Sequence, residues 1–182
     1  MSEGKDKCSR SQKHSNPNMM NTNAIEFHPI GIIHSPHKEL SKIPIQPVFC
    51  KGIEGKLVLE PRYVEGLKDL DEFSHIYLFF YFNESQKTCL QVKPYLSDEK
   101  HGIFATRAPH RPNKLGMSLV KLLRIEDNIL YVSGIDVLDG TPLLDIKPYI
   151  RRFDSVETVK SGWQDNIEDD SAAVRGLRDF KE

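Results

Sequence analysis

The sequence predicts an all-β fold, a single antiparallel β-barrel with few short helical turns and flexible termini. Three observations point there. Short apolar runs recur between Pro- and Gly-rich turns, one of them alternates with period two, and nowhere do strands and helices alternate around a GxGxxG turn. The third observation also counts against a doubly wound nucleotide-binding sheet. A chain of 182 residues can bury one substantial core, but only 38% of it is hydrophobic, so part is expected to lie outside the packed domain.

Residues 1–24 are rich in Ser, Asn, Lys and Gln, have little to bury, and are expected to form a disordered extension. The folded domain is expected over 25–156. Phe27–His34 is a short apolar run holding Pro29 and Gly31, which suits an edge or bent strand. A long loop over 35–52 is punctuated by Pro36, Pro44, Pro47 and Gly52. From Ile53 the alternation is plain, with Ile53, Gly55, Leu57 and Leu59 facing one way and Glu54, Lys56, Val58 and Glu60 the other. Residues 63–72 hold the only stretch that suits a helical turn. His75–Phe82 is apolar and aromatic throughout, as expected of a strand covered on both faces. Ser118–Ile125 and Ile129–Val137 flank Glu126-Asp127-Asn128, a hairpin with a three-residue loop. Ser118–Ile125 also tolerates a helical reading, but the turn and the β-branched partner run favour the hairpin. Leu143–Ile146 suits one more short strand. Residues 157–182 read as a polar tail, either frayed or forming a short terminal helix around Ala172–Phe180.

The formal net charge of −1 excludes a globally basic nucleic-acid binder, so any such surface must come from local clustering. Cys8, Cys50 and Cys89 are widely spaced and form no CxxC pair, which argues against a zinc cage or a disulfide framework and fits a reducing compartment. No apolar run approaches the roughly 20 residues of a membrane span, and the N-terminal residues lack the apolar core of a secretory signal. A soluble, cytoplasmic protein is expected.

Two segments exceed what a plain barrel needs. Between Lys100 and Ile125 stand six Lys and Arg (Lys100, Arg107, Arg111, Lys114, Lys121, Arg124) and no Asp or Glu, and the stretch includes a Pro-rich loop. Guanidinium groups on such a loop suit phosphate or carboxylate ligands; arginines paired with acids elsewhere would explain it as well. In the second segment Asp136, Asp139 and Asp145 recur beside the turn Gly140-Thr141-Pro142. They lack the ligand register of a calcium loop and have no nearby His to suit zinc, so no metal is expected. Ordinary turn chemistry accounts for Asp139-Gly140 equally well. The histidines show no triad ordering, and His34, His75 and His110 suit structural roles.

The segments ATRAPHRPNKLGMS at 105–118 and DVLDGTPLLDIKPY at 136–149 resemble the TrmO-like family of small β-barrel methyltransferases. IGIIHSPHKE at 30–39, IPIQP at 43–47 and GLKDLDEFSHIYLFFYF at 66–82 agree, so the likeness runs over roughly residues 26–153. The resemblance implies an antiparallel barrel that binds S-adenosyl-L-methionine (SAM) and works as a homodimer, with cofactor sites near the subunit contact. It implies N6-methylation of N6-threonylcarbamoyladenosine at position 37, in the anticodon loop of threonine tRNA. By matching positions, the cofactor contacts fall on Gln46, Pro47, Val48, Asn83, Glu84, Arg107, Met117, Ile135, Asp136, Val137, Leu138 and Asp139. The chain departs from the family pattern at Ala108-Pro109, Lys114-Leu115 and Asn83-Glu84. It also has a polar tail where longer bacterial members have a further domain.

A sulfonium methyl is already activated, so such a protein has mainly to align donor and acceptor. A carboxylate accepting the acceptor's N–H would raise its nucleophilicity, a role for which Asp139 and Asp145 are candidates. Arg111 or Lys147 suits the carboxylate of the threonyl group, and Lys114, Arg151 and Arg152 suit the tRNA backbone. The competing classes are a non-catalytic RNA-binding barrel and a SAM enzyme with another substrate.

Overall fold

Period-two alternation decides which side chains form the inside of this barrel. In the computed structural model, which describes residues 24–157, 160–168 and 175–176, Gly55, Leu57 and Leu59 are buried along β2 (Glu54–Leu59) while Glu54 and Lys56 stay exposed. The same rule holds along β6 (Leu115–Glu126), where Gly116, Ser118, Val120 and Leu122 point inward. It holds also in β3 (His75–Tyr81), where Ile76, Leu78 and Phe80 do. With β1 (Gly31–His34), β7 (Ile129–Ser133) and β8 (Thr141–Pro148), these strands close a six-stranded barrel in the order β1-β2-β7-β6-β3-β8. Every neighbouring pair is antiparallel. The interior is filled by Ile33, Leu57, Ile76, Leu78, Val120, Leu130, Val132 and Leu143, all at most 1% exposed, so it is a packed core and leaves no channel.

Several expectations are corrected in detail. The first run is a strand only over Gly31–His34, and it is no edge: β2 pairs on one side and β8 on the other. Closure requires Gly31, because a Cβ there would collide with the Val58 carbonyl. β3 is not covered on both faces. Its outward residues His75, Tyr77 and Phe79 are only half-buried and Tyr81 is exposed. The hairpin loop has two residues, since Glu126 pairs with Ile129, and Asp127 takes the turn with φ of 53°. β7 ends at Ser133, where Gly134 (φ 87°) swings the chain out of the sheet, and so does not continue to Val137. The 63–72 turn is a pair of 3-10 turns, Pro61–Leu67 and Leu70–Glu72. A short ribbon of β4 (Gln91–Val92) and β5 (His101–Gly102) lies outside the barrel and was not anticipated. Within the tail, Gly162–Asn166 forms a 3-10 turn. The expected disorder over 1–24 and helix near 172–180 fall almost entirely outside the described residues.

The register gathers three loops at one mouth of the barrel. β1, β7 and β3 end there, while β2, β8 and β6 begin there, as the pairs His34↔Lys56, Glu54↔Ser133, Ile33↔Thr141 and Tyr81↔Leu115 require. Residues 35–53, 82–114 and 134–140 therefore meet at this end.

Candidate active site at one mouth of the barrel

Each of the three loops contributes a polar side chain to one cluster. After β1, the 3-10 turn Pro47–Phe49 is closed by Phe49 N–H donating to the Gln46 carbonyl at 3.0 Å and Cys50 N–H to that of Pro47 at 2.9 Å. This sets Gln46 at the loop's rim, where its Oε1 accepts from Arg107 Nη1 at 2.6 Å. Arg107 follows the 3-10 turn Ile103–Ala105, whose exit is tightened by Thr106 Oγ1 donating to the Ile103 carbonyl at 2.9 Å.

Asp136 comes from the third loop. Its Oδ1 accepts from Ser118 Oγ at 2.6 Å, across the wall from β6. Burial raises its carboxyl to about 6, against the opposing pull of the Ser118 hydroxyl, a backbone bond and the Arg107 charge. Cys50 lies close by: its thiol, pushed up to about 12 by burial and then by the Asp136 charge, donates weakly to the Gln46 carbonyl at 3.6 Å. Gln46, Arg107, Asp136 and Ser118 thus form a group with one permanent cation and one carboxyl poised near neutrality.

Asp139, expected in the same run, has a different setting. Lys38 Nζ lies 2.5 Å from its Oδ2, while the His34 ring at 3.3 Å and the Ser35 N–H at 3.1 Å reach Oδ1. The Lys38 bond, followed by those of Ser35 and His34, holds this carboxyl below the usual carboxylate range despite some burial. The run 135–139 is stitched to the first loop: Ser35 Oγ donates to the Val137 carbonyl at 2.6 Å and His37 Nε2 to that of Ile135 at 2.9 Å. Ile135 and Val137 are buried and Leu138 is half-buried.

The remaining expected residues divide by position. Pro47 and Val48 sit on the Gln46 turn, with Val48 61% exposed. Asn83 and Glu84 leave β3 as an exposed pair bonded to each other at 3.2 Å. Ser85 ties this exit to the Pro-rich loop, its hydroxyl lying 3.1 Å from both the Pro109 carbonyl and His110 Nδ1. Arg111 points into its own loop, donating to the Thr106 and Ala108 carbonyls at 3.1 and 3.4 Å. Lys114 takes φ of 53° at the entry to β6. Met117 lies on the outer face of β6, opposite Phe79. Asp145 and Lys147 pair at 3.0 Å on β8, and Arg151 and Arg152 open a short helix α1 (Arg151–Asp154) beyond the other end of the barrel. Ser118 and Cys50 escaped sequence reading. For Ser118 a signal was present: a hydroxyl on the inward side of an otherwise apolar strand needs a partner.

The barrel and this mouth correspond to a known family. The family model described as the tRNA-methyltransferase O N-terminal domain matches residues 32–155. The chain belongs to the TrmO family. Among solved structures, TrmO from Pseudomonas aeruginosa is similar at 40% identity with a TM-score of 0.65, over 78% of this chain and 63% of that one. A Pyrococcus abyssi relative named "Probable S-adenosyl-L-methionine-binding protein" is 53% identical over 75% of this chain and 74% of its own length. A human tRNA (adenine(37)-N6)-methyltransferase is 38% identical over 72% of this chain and 31% of the human one. The chain thus spans most of this archaeal TrmO-family relative and about a third of the human one.

Proposed function

We propose that the chain is a SAM-dependent tRNA methyltransferase acting on N6 of the adenine at position 37, and in particular on N6-threonylcarbamoyladenosine of threonine tRNA. The observation that carries the reading is the convergence of Gln46, Arg107 and Asp136, which come from three separate loops and are among the positions to which the sequence resemblance assigns cofactor contacts. The donor set suits SAM chemically. A guanidinium suits the carboxylate of its methionine part. The Gln46 and Asn83 amides suit polar edges, and Val48 and Met117 suit apolar surface. SAM supplies a methyl group on a positively charged sulfur, activated before it reaches the protein. No added metal is expected to be required.

The chain's own residues have to bind, orient and manage one proton. Burial brings the Asp136 carboxyl to about 6, in the range suited to acid–base work. Asp139 is engaged as a tether of the first loop, and Asp145 accepts from the Ile146 N–H at 2.9 Å while paired with Lys147. A proton-accepting role is therefore assigned to Asp136 ahead of the two aspartates expected from sequence. Lys114 at the mouth suits phosphate, and Arg151 and Arg152 would reach a tRNA that extends along the barrel.

A homodimer is part of this reading. On the outer face the pairs Tyr77↔Leu119, Phe79↔Met117 and Tyr81↔Leu115 set apolar side chains side by side. Leu115, Met117 and Leu119 are 36–42% exposed and form an apolar strip, bounded by Lys121, of the kind that a second copy would cover. With Met117 on that strip, a partner subunit would border the cofactor site. Among the described residues no helix is long and apolar enough to cross a membrane, and a tRNA substrate implies a cytoplasmic location.

Calorimetry with SAM, with and without a chelator, tests the cofactor assignment, and labelled-methyl incorporation into separated tRNA species tests the substrate. SAM binding that survives chelation, with label confined to threonine tRNA, is the expected result. Failure to bind SAM would remove the reading.

A further inference from the structure

We infer that Trp163 and Gly176, two residues of the C-terminal tail, act as a strap that positions the Arg107–Gln46 pair, making Trp163 a positioning residue for cofactor binding. The inference rests on the reading of that pair as part of the cofactor site. Trp163 is the only tryptophan of the chain and lies in a polar tail. Its indole N–H donates to the Ala105 carbonyl at 2.9 Å, two residues before Arg107. Its ring stacks on His101, with centroids 4.5 Å apart and planes 15° from parallel. His101 is in turn fixed by its Nε2 against Ser97 Oγ at 2.8 Å and by its place in the β4–β5 ribbon.

The second brace is at Gly176. Its carbonyl accepts from Ile45 N–H at 3.0 Å, one residue before Gln46. A Cβ at Gly176 would come within 2.6 Å of the Phe49 ring, so the backbone can seat there only because the position is glycine. Beside it, Arg175 reaches Asp98 at 3.3 Å, and that carboxylate also pairs with Lys93 at 3.3 Å. Both partners of the 2.6 Å Arg107–Gln46 bond are therefore held, one or two residues upstream, by Gly176 and Trp163 of the C-terminal tail.

The two loops need such support. Gln46 and Arg107 stand on isolated 3-10 turns outside the barrel ladder, which supply few backbone bonds of their own. Segments of this kind open easily, whereas a binding constellation holds its affinity only when its side chains stay within a fraction of an ångström of place. Two contacts from the tail, one on each loop, close a bracket around the pair. By reciprocity, occupation of the site should tighten the strap.

The test uses the full chain with Trp163→Ala, Trp163→Phe, Arg107→Ala and the Trp163→Ala/Arg107→Ala double variant. Calorimetry with SAM is expected to show a roughly five- to tenfold loss for Trp163→Ala, only partial recovery in Trp163→Phe, which keeps a ring on His101 but lacks the N–H for Ala105, and no further loss in the double variant beyond Arg107→Ala. A SAM-independent readout accompanies it: the rate at which phenylglyoxal modifies Arg107, mapped by mass spectrometry, should rise severalfold in Trp163→Ala while that of Arg124 stays constant. Unchanged Arg107 reactivity in folded Trp163→Ala, or additive losses in the double variant, would overturn the strap. Absent SAM binding in the wild type together with a responsive Arg107 would leave the strap standing and overturn the cofactor reading instead. Gly176→Ala, whose Cβ meets the Phe49 ring, carries the same test if Trp163→Ala does not fold: it should weaken SAM binding and raise Arg107 reactivity, and adding Phe49→Leu, which makes room, should reverse both.

Discussion

The Ser118 hydroxyl donates to the Asp136 carboxylate across 2.6 Å, joining the inward side of β6 to the loop that follows β7. The bond favours the charged carboxylate, yet burial outweighs it and leaves the group titrating at about 6. Between its ordinary value of 3.8 and about 6 the folded protein therefore holds more protons than the unfolded chain. Stability from this group is full below the lower value and is lost as pH rises through the upper one. Asp136→Asn should remove that downward slope. It should also stabilise the protein at pH 8 by roughly 1–3 kcal/mol, less than the full gap implies because Asp136 keeps part of its surface in water. Denaturant melts of both proteins from pH 4 to 8 would check the slope.

Ser118→Ala removes the donor and leaves Asp136 buried with one partner fewer. The expected cost is about 1–3 kcal/mol at neutral pH, where the carboxylate is charged, and less at pH 4, where it is not. A loss of equal size at both values would show that the hydroxyl contributes through packing alone.

Asp139 makes the opposite prediction. Its carboxyl is held down by Lys38, so its contribution is present above the unfolded value and fades as pH falls through the folded one. Asp139→Asn should lower stability at neutral pH, with the deficit shrinking as pH falls, and loosen the His34–Lys38 loop, read as faster amide exchange at Ser35. It should impair SAM binding less than Asp136→Ala does. A larger loss of binding from Asp139→Asn would return the chemical role to Asp139.

Much of the barrel was legible in the sequence because strand alternation is local. Gly55, Leu57 and Leu59 are inward as their spacing predicted, and Asp127 marks a real turn, whereas Gly134 ends a strand that the sequence predicted to run on to Val137. What escaped was set by closure and by contacts distant in sequence. Whether Gly31–His34 is an edge depends on β8 returning to it, and no local pattern encodes that. Arg111 and Arg107 share one basic loop, yet one turns back on its own carbonyls and the other crosses to Gln46. Asp136 and Asp139 differ through surroundings set by contacts distant in sequence, burial against the barrel wall for one and the Lys38 ammonium for the other. The aromatic run of β3 predicted a fully covered strand, and a second subunit on its outer face would supply the missing cover.

That outer face gives a further prediction. Leu119→Glu places a charge beside Tyr77 on the apolar strip, at a position outside the expected cofactor set. Light scattering should find the wild type dimeric and this variant monomeric, with the barrel's melting temperature little changed. A monomeric wild type would contradict the dimer.

Arg107→Ala and Arg124→Ala separate the site from its basic surroundings. Arg107 bridges to Gln46, whereas Arg124 pairs with Glu126 at 2.7 Å and lies 3.5 Å over the Tyr131 ring. Loss of a charge-assisted bond at Arg107 should cost ~1.5–3 kcal/mol of SAM binding, roughly ten- to a hundredfold in affinity. Arg124→Ala should leave SAM affinity unchanged. Equal affinities in all three folded proteins would remove Arg107 from the site.

The most direct test of the account is mass spectrometry of position 37 in threonine tRNA after incubation with the purified protein and SAM. The account predicts a mass gain of one methyl on N6-threonylcarbamoyladenosine, abolished or strongly reduced by Arg107→Ala and by Asp136→Ala. An unmodified position 37 with SAM bound, or methyl label on another nucleotide or another molecule, would contradict it.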